Sequence, residues 1–295
     1  MNTFQRKTKI LLCIVCVLIA CSIFLSVDWK HPKAETSELV LPAVISDVAT
    51  VTIIFNRADV QKTIALKKRD NSFFLYFSDD ETYKVPETVI KNFFTILSSK
   101  NKITLVSKNN TTTLVNTVKI ILRSASETVI SDITFGELDT LGLNRYIIFG
   151  GGHIYKAPDI YASLLQPENS RWIETQPFKA QLKNNSIQSV SFNNKLFIKN
   201  ERNAAAFTAL EQALSSFHLL DVYIVNAYPA ANLKREKQTV SFVLGSGETV
   251  SLHFQKIEIG SDYTLYQNDK KQPPYIVSSY AVEQLLKAVQ NVQIP

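Results

Sequence analysis

Alternation is the feature that most restricts what this chain can become. The runs VATVTIIFN (48–56), KTIALKK (62–68), SFFLYFS (72–78) and ETYKV (81–85) place β-branched and aromatic residues at every second position, with polar turns between them. A period of two suits strands with one buried face, and short runs joined by polar turns make an antiparallel meander. The meander then meets a helical pattern. Pro86 suits a first helical position because its missing N–H would be unpaired there, and Glu87 complements the helix dipole. Val89, Ile90, Phe93, Phe94 and Leu97 come next at helical spacing and form one face that must pack on the sheet.

The joint has an echo: TYKVPETVIKNFF (82–94) resembles IYKAPDIYASLL (154–165). NRYIIF (144–149), a triple glycine and HIYKA (153–157) predict a hairpin, after which Pro158 and Asp159 start a short helix carrying Ile160, Tyr161, Leu164 and Leu165. A third version, PYIVSSYAVEQLLKAV (274–289), replaces proline with a Ser278 or Ser279 cap and runs Val282, Leu285, Leu286 and Val289 along one face. Upstream, TVKIILRSASETVIS (117–131) compares with TVSFVLGSGETVS (239–251). The expected fold class is α+β, with repeated antiparallel strand-rich units each packed with a short helix, and with the three joints superposing in space.

Two domains are expected, 46–166 and 186–295, joined by a polar, proline-bearing linker at 167–185. The second opens with SIQSVSF (186–192) and KLFIK (195–199), then a helix from about Glu201 whose Phe207, Leu210, Leu214 and Phe217 form a buried stripe.

Ahead of these lie a membrane segment or signal (1–28) and a tether (29–45). Residues 10–27, ILLCIVCVLIACSIFLSV, carry no charge and come after Arg6, Lys7 and Lys9, as in a transmembrane helix held cytoplasmic at its N-terminal side. Within them Leu18-Ile19-Ala20-Cys21 resembles the bacterial lipobox, in which the cysteine is lipidated after cleavage. Both readings, signal anchor and lipoprotein with Cys21 modified, stay open. Either one tethers the body to a membrane on the extracytoplasmic, periplasmic side.

Cys13, Cys16 and Cys21 are all the cysteines, so the body has no disulfide frame, zinc cluster or cysteine nucleophile. The formal net charge of +6 shrinks to +3 once the first 20 residues are set aside, too diffuse for nucleic acid. None of His31, His153, His218 and His253 has a metal-ligand spacing. The glycines at 150–152 precede a strand and not a helix, which favours a hairpin turn over a phosphate cradle. No cofactor or metal is expected, and no catalytic residue is assigned. Asp79, Asp80, Glu81 and His153 are the first residues to test for hydrolase activity, because they are polar clusters beside turns. Tyr146, Tyr155, Tyr161, Tyr275 and Tyr280 gather near the later joints and are candidates for a ligand or partner surface.

The order of features, from the single N-terminal membrane segment through the Tyr-Lys-Val-Pro joint to Ser170-Arg171-Trp172-Ile173 and Pro177-Phe178 leading into SIQSVSF, resembles the bacterial family called domain of unknown function 4340. That resemblance implies a membrane-tethered protein of repeated α+β units, often encoded beside gliding-type ABC transporter components. The family has no established catalytic residues to carry over. The expected function is therefore a tethered extracytoplasmic binding or scaffold protein, accessory to an ABC-type transport or gliding-like envelope assembly. A cell-envelope hydrolase or a lipid- or ligand-binding module is the alternative.

Overall fold

The computed structural model describes residues 36–39, 45–79, 81–108, 114–149, 152–224, 233–258, 260, 262–268 and 274–292. Residues 10–27, Cys21 and Asp80 lie outside them. Among the described residues no helix is long and apolar enough to cross a membrane.

The alternating runs become strands. They are β1 (Thr36–Leu39), β2 (Thr50–Asn56), β3 (Gln61–Arg69), β4 (Ser72–Tyr76) and β5 (Thr82–Lys84), with helix α1 (Glu87–Leu97) after them. Next come β6 (Asn101–Ser107), β7 (Thr117–Arg123), β8 (Val129–Leu138), β9 (Asn144–Phe149) and β10 (His153–Pro158). All ten form one antiparallel sheet in the order β1-β6-β10-β9-β8-β7-β2-β3-β4-β5. Val51, Ile53 and Phe55 of β2 are buried at every second position, as the period demands. Asp70 and Asn71, both at positive φ, make the two-residue turn between β3 and β4 that such hairpins favour.

Helix α2 (Pro177–Lys183) leads into β11 (Ile187–Phe192), β12 (Lys195–Ile198), α3 (Ala204–Ser215) and β13 (Leu219–Val222). β14 (Leu233–Leu244), β15 (Thr249–Ile257), β16 (Tyr263–Gln267), β17 (Tyr275–Val277) and α4 (Ser279–Val292) complete the described chain. These strands form a second antiparallel sheet in the order β12-β11-β14-β15-β16-β17-β13. α4 packs on α3, and α2 packs on α3.

The structure overturns the α+β expectation with a short helix in each repeated unit. Among the described residues, seventeen strands in two sheets face only four α-helices. The echo fails for a physical reason. After YKVPE, α1 runs eleven residues; after YKAPD the chain makes only a four-residue 3-10 turn, Ala162–Leu165. Pro167 disfavours helix at Gln166, and Tyr161 is drawn into the core beside Phe135, ring centroids 5.0 Å apart. The first joint leaves β5, at one edge of the ten-stranded sheet. The second leaves β10, third from the other edge. The first joint therefore does not hold the same place in the sheet as the second.

What recurs instead is a strand order. The path β3-β2-β7-β8-β9-β10-β6 in the first sheet has the same sequence of connections as β12-β11-β14-β15-β16-β17-β13 in the second. Beyond β3 the first sheet adds β4 and β5 before α1, whereas β12 leads directly into α3, and the exit from β10 corresponds to that from β17.

The segment between the sheets is not a solvated spacer. It contains a 3-10 turn at Asn169–Trp172, and Trp172, Ile173 and Phe178 are buried. One hydrophobic cluster runs through both sheets, from Val51 and Ile53 through Trp172 to Phe242 and Leu252.

Candidate binding cleft

Two adjoining hollows open where the first turns of α1 meet the inter-sheet segment. One, of about 480 Å³, is lined by Pro86, Thr88, Val89, Gln166, Glu168, Ser170, Arg171, Ile173, Glu174 and Thr175. The other, of about 390 Å³, is lined by Thr88, Val89, Asn92, Phe93, Arg171 and Trp172. Thr88, Val89 and Arg171 border both.

Local sequence explains each wall. α1 begins after Pro86, whose φ of −58° and ψ of 137° are extended, so proline precedes the helix instead of occupying its first turn. Its carbonyl accepts from the N–H groups of Val89 at 3.0 Å and Ile90 at 3.2 Å. No side chain caps this end. The apolar stripe of α1 turns Ile90, Phe93, Phe94 and Leu97 inward, which leaves Thr88 and Asn92 exposed on the cleft side. Phe93 meets Trp172 edge to face with centroids 5.4 Å apart, and this contact sets the depth of the smaller hollow.

The opposite wall is pinned from the first sheet. Arg57 Nη2 donates to the Leu165 carbonyl at 2.6 Å, and Lys62 Nζ donates to the Pro167 carbonyl at 2.6 Å. Behind it lies a half-buried polar group. Burial pulls the Lys62 ammonium below its usual pKa, opposed by Asp221 and then Glu168. Burial pushes the Asp221 carboxyl up, opposed by the Val222 N–H, Lys62 and Asn169. Burial also lowers the Arg171 guanidinium, opposed by Glu168.

Arg171 Nη1 and Trp172 Nε1 are buried donors with no hydrogen-bond partner among the described residues, and Asn169 Oδ1 is a buried acceptor in the same condition. Leaving such a group unpaired costs about 1–3 kcal/mol, so native proteins hold few of them. Both donor atoms are closed to solvent, so they lie beneath the surface of the hollows and not on it.

The residues singled out from sequence lie elsewhere. Tyr155 pairs with Ile147 and Tyr146 with Lys156, so the two tyrosines point to opposite faces of the first sheet. Tyr155 stacks near Phe149 at 4.6 Å. Tyr161 is fully buried, and burial raises its pKa. Tyr275 lies against Tyr83 at 5.2 Å, and Tyr280 is 70% exposed on α4. These five do not converge. Asp79 is exposed beside Arg69 at the β4 end, whereas His153 sits in β10, six strand positions away. At about 4.8 Å per strand that is on the order of 29 Å, too far for shared chemistry. Among the described residues no three His, Cys, Asp or Glu side chains are grouped to hold a metal ion.

Sequence reasoning used Arg171 and Trp172 only as part of a resemblance. The signal available was an Arg-Trp pair, the types enriched at interface hot spots, inside an otherwise polar linker.

No protein-family model and no solved structure matches the chain. A curated relative from Treponema pallidum (strain Nichols), named an uncharacterized protein, is 23% identical over 165 residues, which is 56% of this chain. The match spans about half of that relative, 49% of its length.

Proposed function

We propose that this protein is a membrane-tethered extracytoplasmic binding or scaffold module, and that it engages a partner through the cleft between α1 and the inter-sheet segment. The observation that carries this reading is the pair of adjoining hollows that share Thr88, Val89 and Arg171. Val89 and Phe93 supply apolar contact there. The uncharged run at 10–27 after three cations supports the tether. The resemblance to the family called domain of unknown function 4340 supports the class of partner, a subunit of an ABC-type transport or gliding-like envelope assembly.

A photo-crosslinking residue at Asn92, in the full chain in its native membrane, tests this. One discrete membrane-protein adduct is expected from Asn92 and none from Asn194, which lies in the β11–β12 turn away from the cleft. Absence of an adduct at Asn92 in repeated trials overturns the reading. Fatty-acid labelling with and without Cys21→Ala separates the two tethers: label lost on substitution marks a lipoprotein, and an unlabelled wild-type chain marks an anchor helix.

A further inference from the structure

We propose that the turn between β8 and β9 is a second membrane contact, which sets Leu141 and Leu143 into the interface of the bilayer that holds the tether. The inference rests on the tether of the reading above and not on its cleft.

The turn displays apolar side chains that the fold does not use. Leu141 is 76% exposed and Leu143 67%, while Leu138 and Ile160 beside them are 42% and 41% exposed. They form one patch. Leu138 stands opposite Arg145 in the β8–β9 pairing, and the Asp159 N–H donates to the Leu143 carbonyl at 3.3 Å, which brings Ile160 alongside. Apolar residues scattered singly over a surface need no explanation, whereas a contiguous patch marks a contact.

The polar groups around the patch favour lipid over protein as its occupant. The apolar side of a bilayer offers no hydrogen bonds, so a segment that enters it must satisfy its own backbone. This turn does so. The Asp139 N–H donates to the Asn144 carbonyl at 2.7 Å, and the Gly142 N–H donates to the Asp139 carbonyl at 2.8 Å. Asp139 Oδ1 accepts from the N–H groups of Leu143 and Asn144 at 3.0 and 3.2 Å. Charges at its base also close on themselves, Asp139 with Lys156 at 2.6 Å and Asp159 with Arg145 through two bonds of 2.8 and 2.9 Å. Glu137 is bonded to Asn116, and alternation turns it to the face opposite Leu138. These pairs leave no positive charge over, so attraction comes from apolar area and neutral lipid suffices.

The tether lets both contacts meet one bilayer. Thr36, where β1 starts, stands level with Thr104, Lys156 and Tyr146 across β6, β10 and β9. From Tyr146 the chain leads back through the start of β9 into the turn, which puts Leu141 about 20 Å from Thr36. Residues 28–35, between the uncharged run and β1, reach about 28 Å when extended.

Tryptophan quenching tests the contact in the full chain, reconstituted in phosphatidylcholine vesicles whose acyl chains are brominated near the headgroup. Trp29→Phe leaves the buried Trp172 as a constant background, to which Leu141→Trp or Leu196→Trp is added; Leu196 is 63% exposed on β12 of the other sheet. Bromine should quench Leu141→Trp and leave Leu196→Trp at the background level. Leu143→Asp should abolish the quenching and the uncharged Leu143→Asn should weaken it, with unchanged melting of both to exclude misfolding. Anionic lipid and salt should alter it little. Equal quenching at 141 and 196, no quenching at 141, or quenching that survives Leu143→Asp overturns the inference. A blue shift at 141 that follows protein density without bromine quenching assigns the patch to a second copy and overturns it too. If the chain floats with the vesicles while position 141 stays silent, the tether stands and this contact falls; if it does not float, both fall.

Discussion

The Tyr83 hydroxyl donates to the Pro274 carbonyl at 2.6 Å, with the Tyr223 carbonyl 3.1 Å away. Tyr83 ends the meander of the first sheet, and Pro274 enters β17 of the second, so one phenol ties segments 191 residues apart. Pro274 also accepts from the Tyr223 N–H at 2.9 Å, so its oxygen keeps a partner when the phenol is removed. Tyr83→Phe should therefore cost about 1 kcal/mol and lower Tm by about 2–4 °C, read in urea and thermal melts. A loss much larger than this would show that the phenol also orders the neighbouring chain.

The same phenol predicts an alkaline limb. Burial is the main cause that raises its pKa well above the ordinary 10.0, with Tyr275 and Glu81 adding to it and a backbone hydrogen bond with Tyr223 opposing. A proton held more tightly in the folded state stabilises that state fully below the unfolded pKa, and the contribution is lost as pH rises through the folded one. Tyr161, Tyr266 and Tyr275 are raised as well, so the informative quantity is a difference. Wild type should lose stability above about pH 10 more steeply than Tyr83→Phe, by up to about one proton in slope.

Asp139 predicts the opposite limb. Its carboxylate receives Lys156 Nζ at 2.6 Å and the N–H groups of Leu143 and Asn144 at 3.0 and 3.2 Å. Lys156 first, then Asn144, hold it well below the usual carboxylate range, and Asp139 raises Lys156 in return. The stability this gives is present above the unfolded pKa of about 3.9 and is lost as pH falls toward the folded value. Asp139→Asn should flatten the dependence of urea midpoints on pH below about 4, by up to about one proton. Equal acid slopes in the two proteins would refute the pairing.

Periodicity made the sheets legible. The strand runs, the buried faces of α1 and α3 and the β11–β12 hairpin arise from alternation and helical spacing, which are local signals. Lys156 shows where such signals stop. Nothing in its repeated phrase marks a partner, yet it pairs with Asp139, which is brought near by the β8–β9 turn. The echo itself misled because Tyr-Lys-x-Pro only ends a strand, and the length of the next helix depends on Pro167 and on whether Tyr161 is wanted in the core. Arg171 and Trp172 were invisible as a site because their setting needs α1 from one part of the chain packed on a connector from another. No spacing rule encodes that contact.

Ser278 offers a local test of the last joint, where the cap expected from sequence is found. The Ala281 N–H donates to Ser278 Oγ at 3.2 Å, and the Val282 N–H donates to its carbonyl. The Val282, Leu285 and Val289 face of α4 is buried, so the helix persists without its cap. Ser278→Ala should cost about 1 kcal/mol, while Ser278→Asp should hold the wild-type midpoint. Chemical denaturation of the three proteins side by side reads the difference.

Arg171 separates a binding site from a structural brace. A brace loses stability when it is removed, whereas a desolvated cation kept for a ligand is a burden on the unliganded fold. Arg171 has a buried Nη1 without a partner among the described residues, and its pKa is pulled down chiefly by burial. Methionine preserves the unbranched stem that covers the Trp172 ring, whose face lies 5.8 Å from the guanidinium carbon. Arg171→Met should leave the unliganded protein unchanged or stabilise it by up to about 1 kcal/mol, while abolishing the crosslink from Asn92. A destabilisation of more than about 2 kcal/mol would instead place Arg171 among the groups that hold the two sheets together, and the cleft would then be a by-product of that packing.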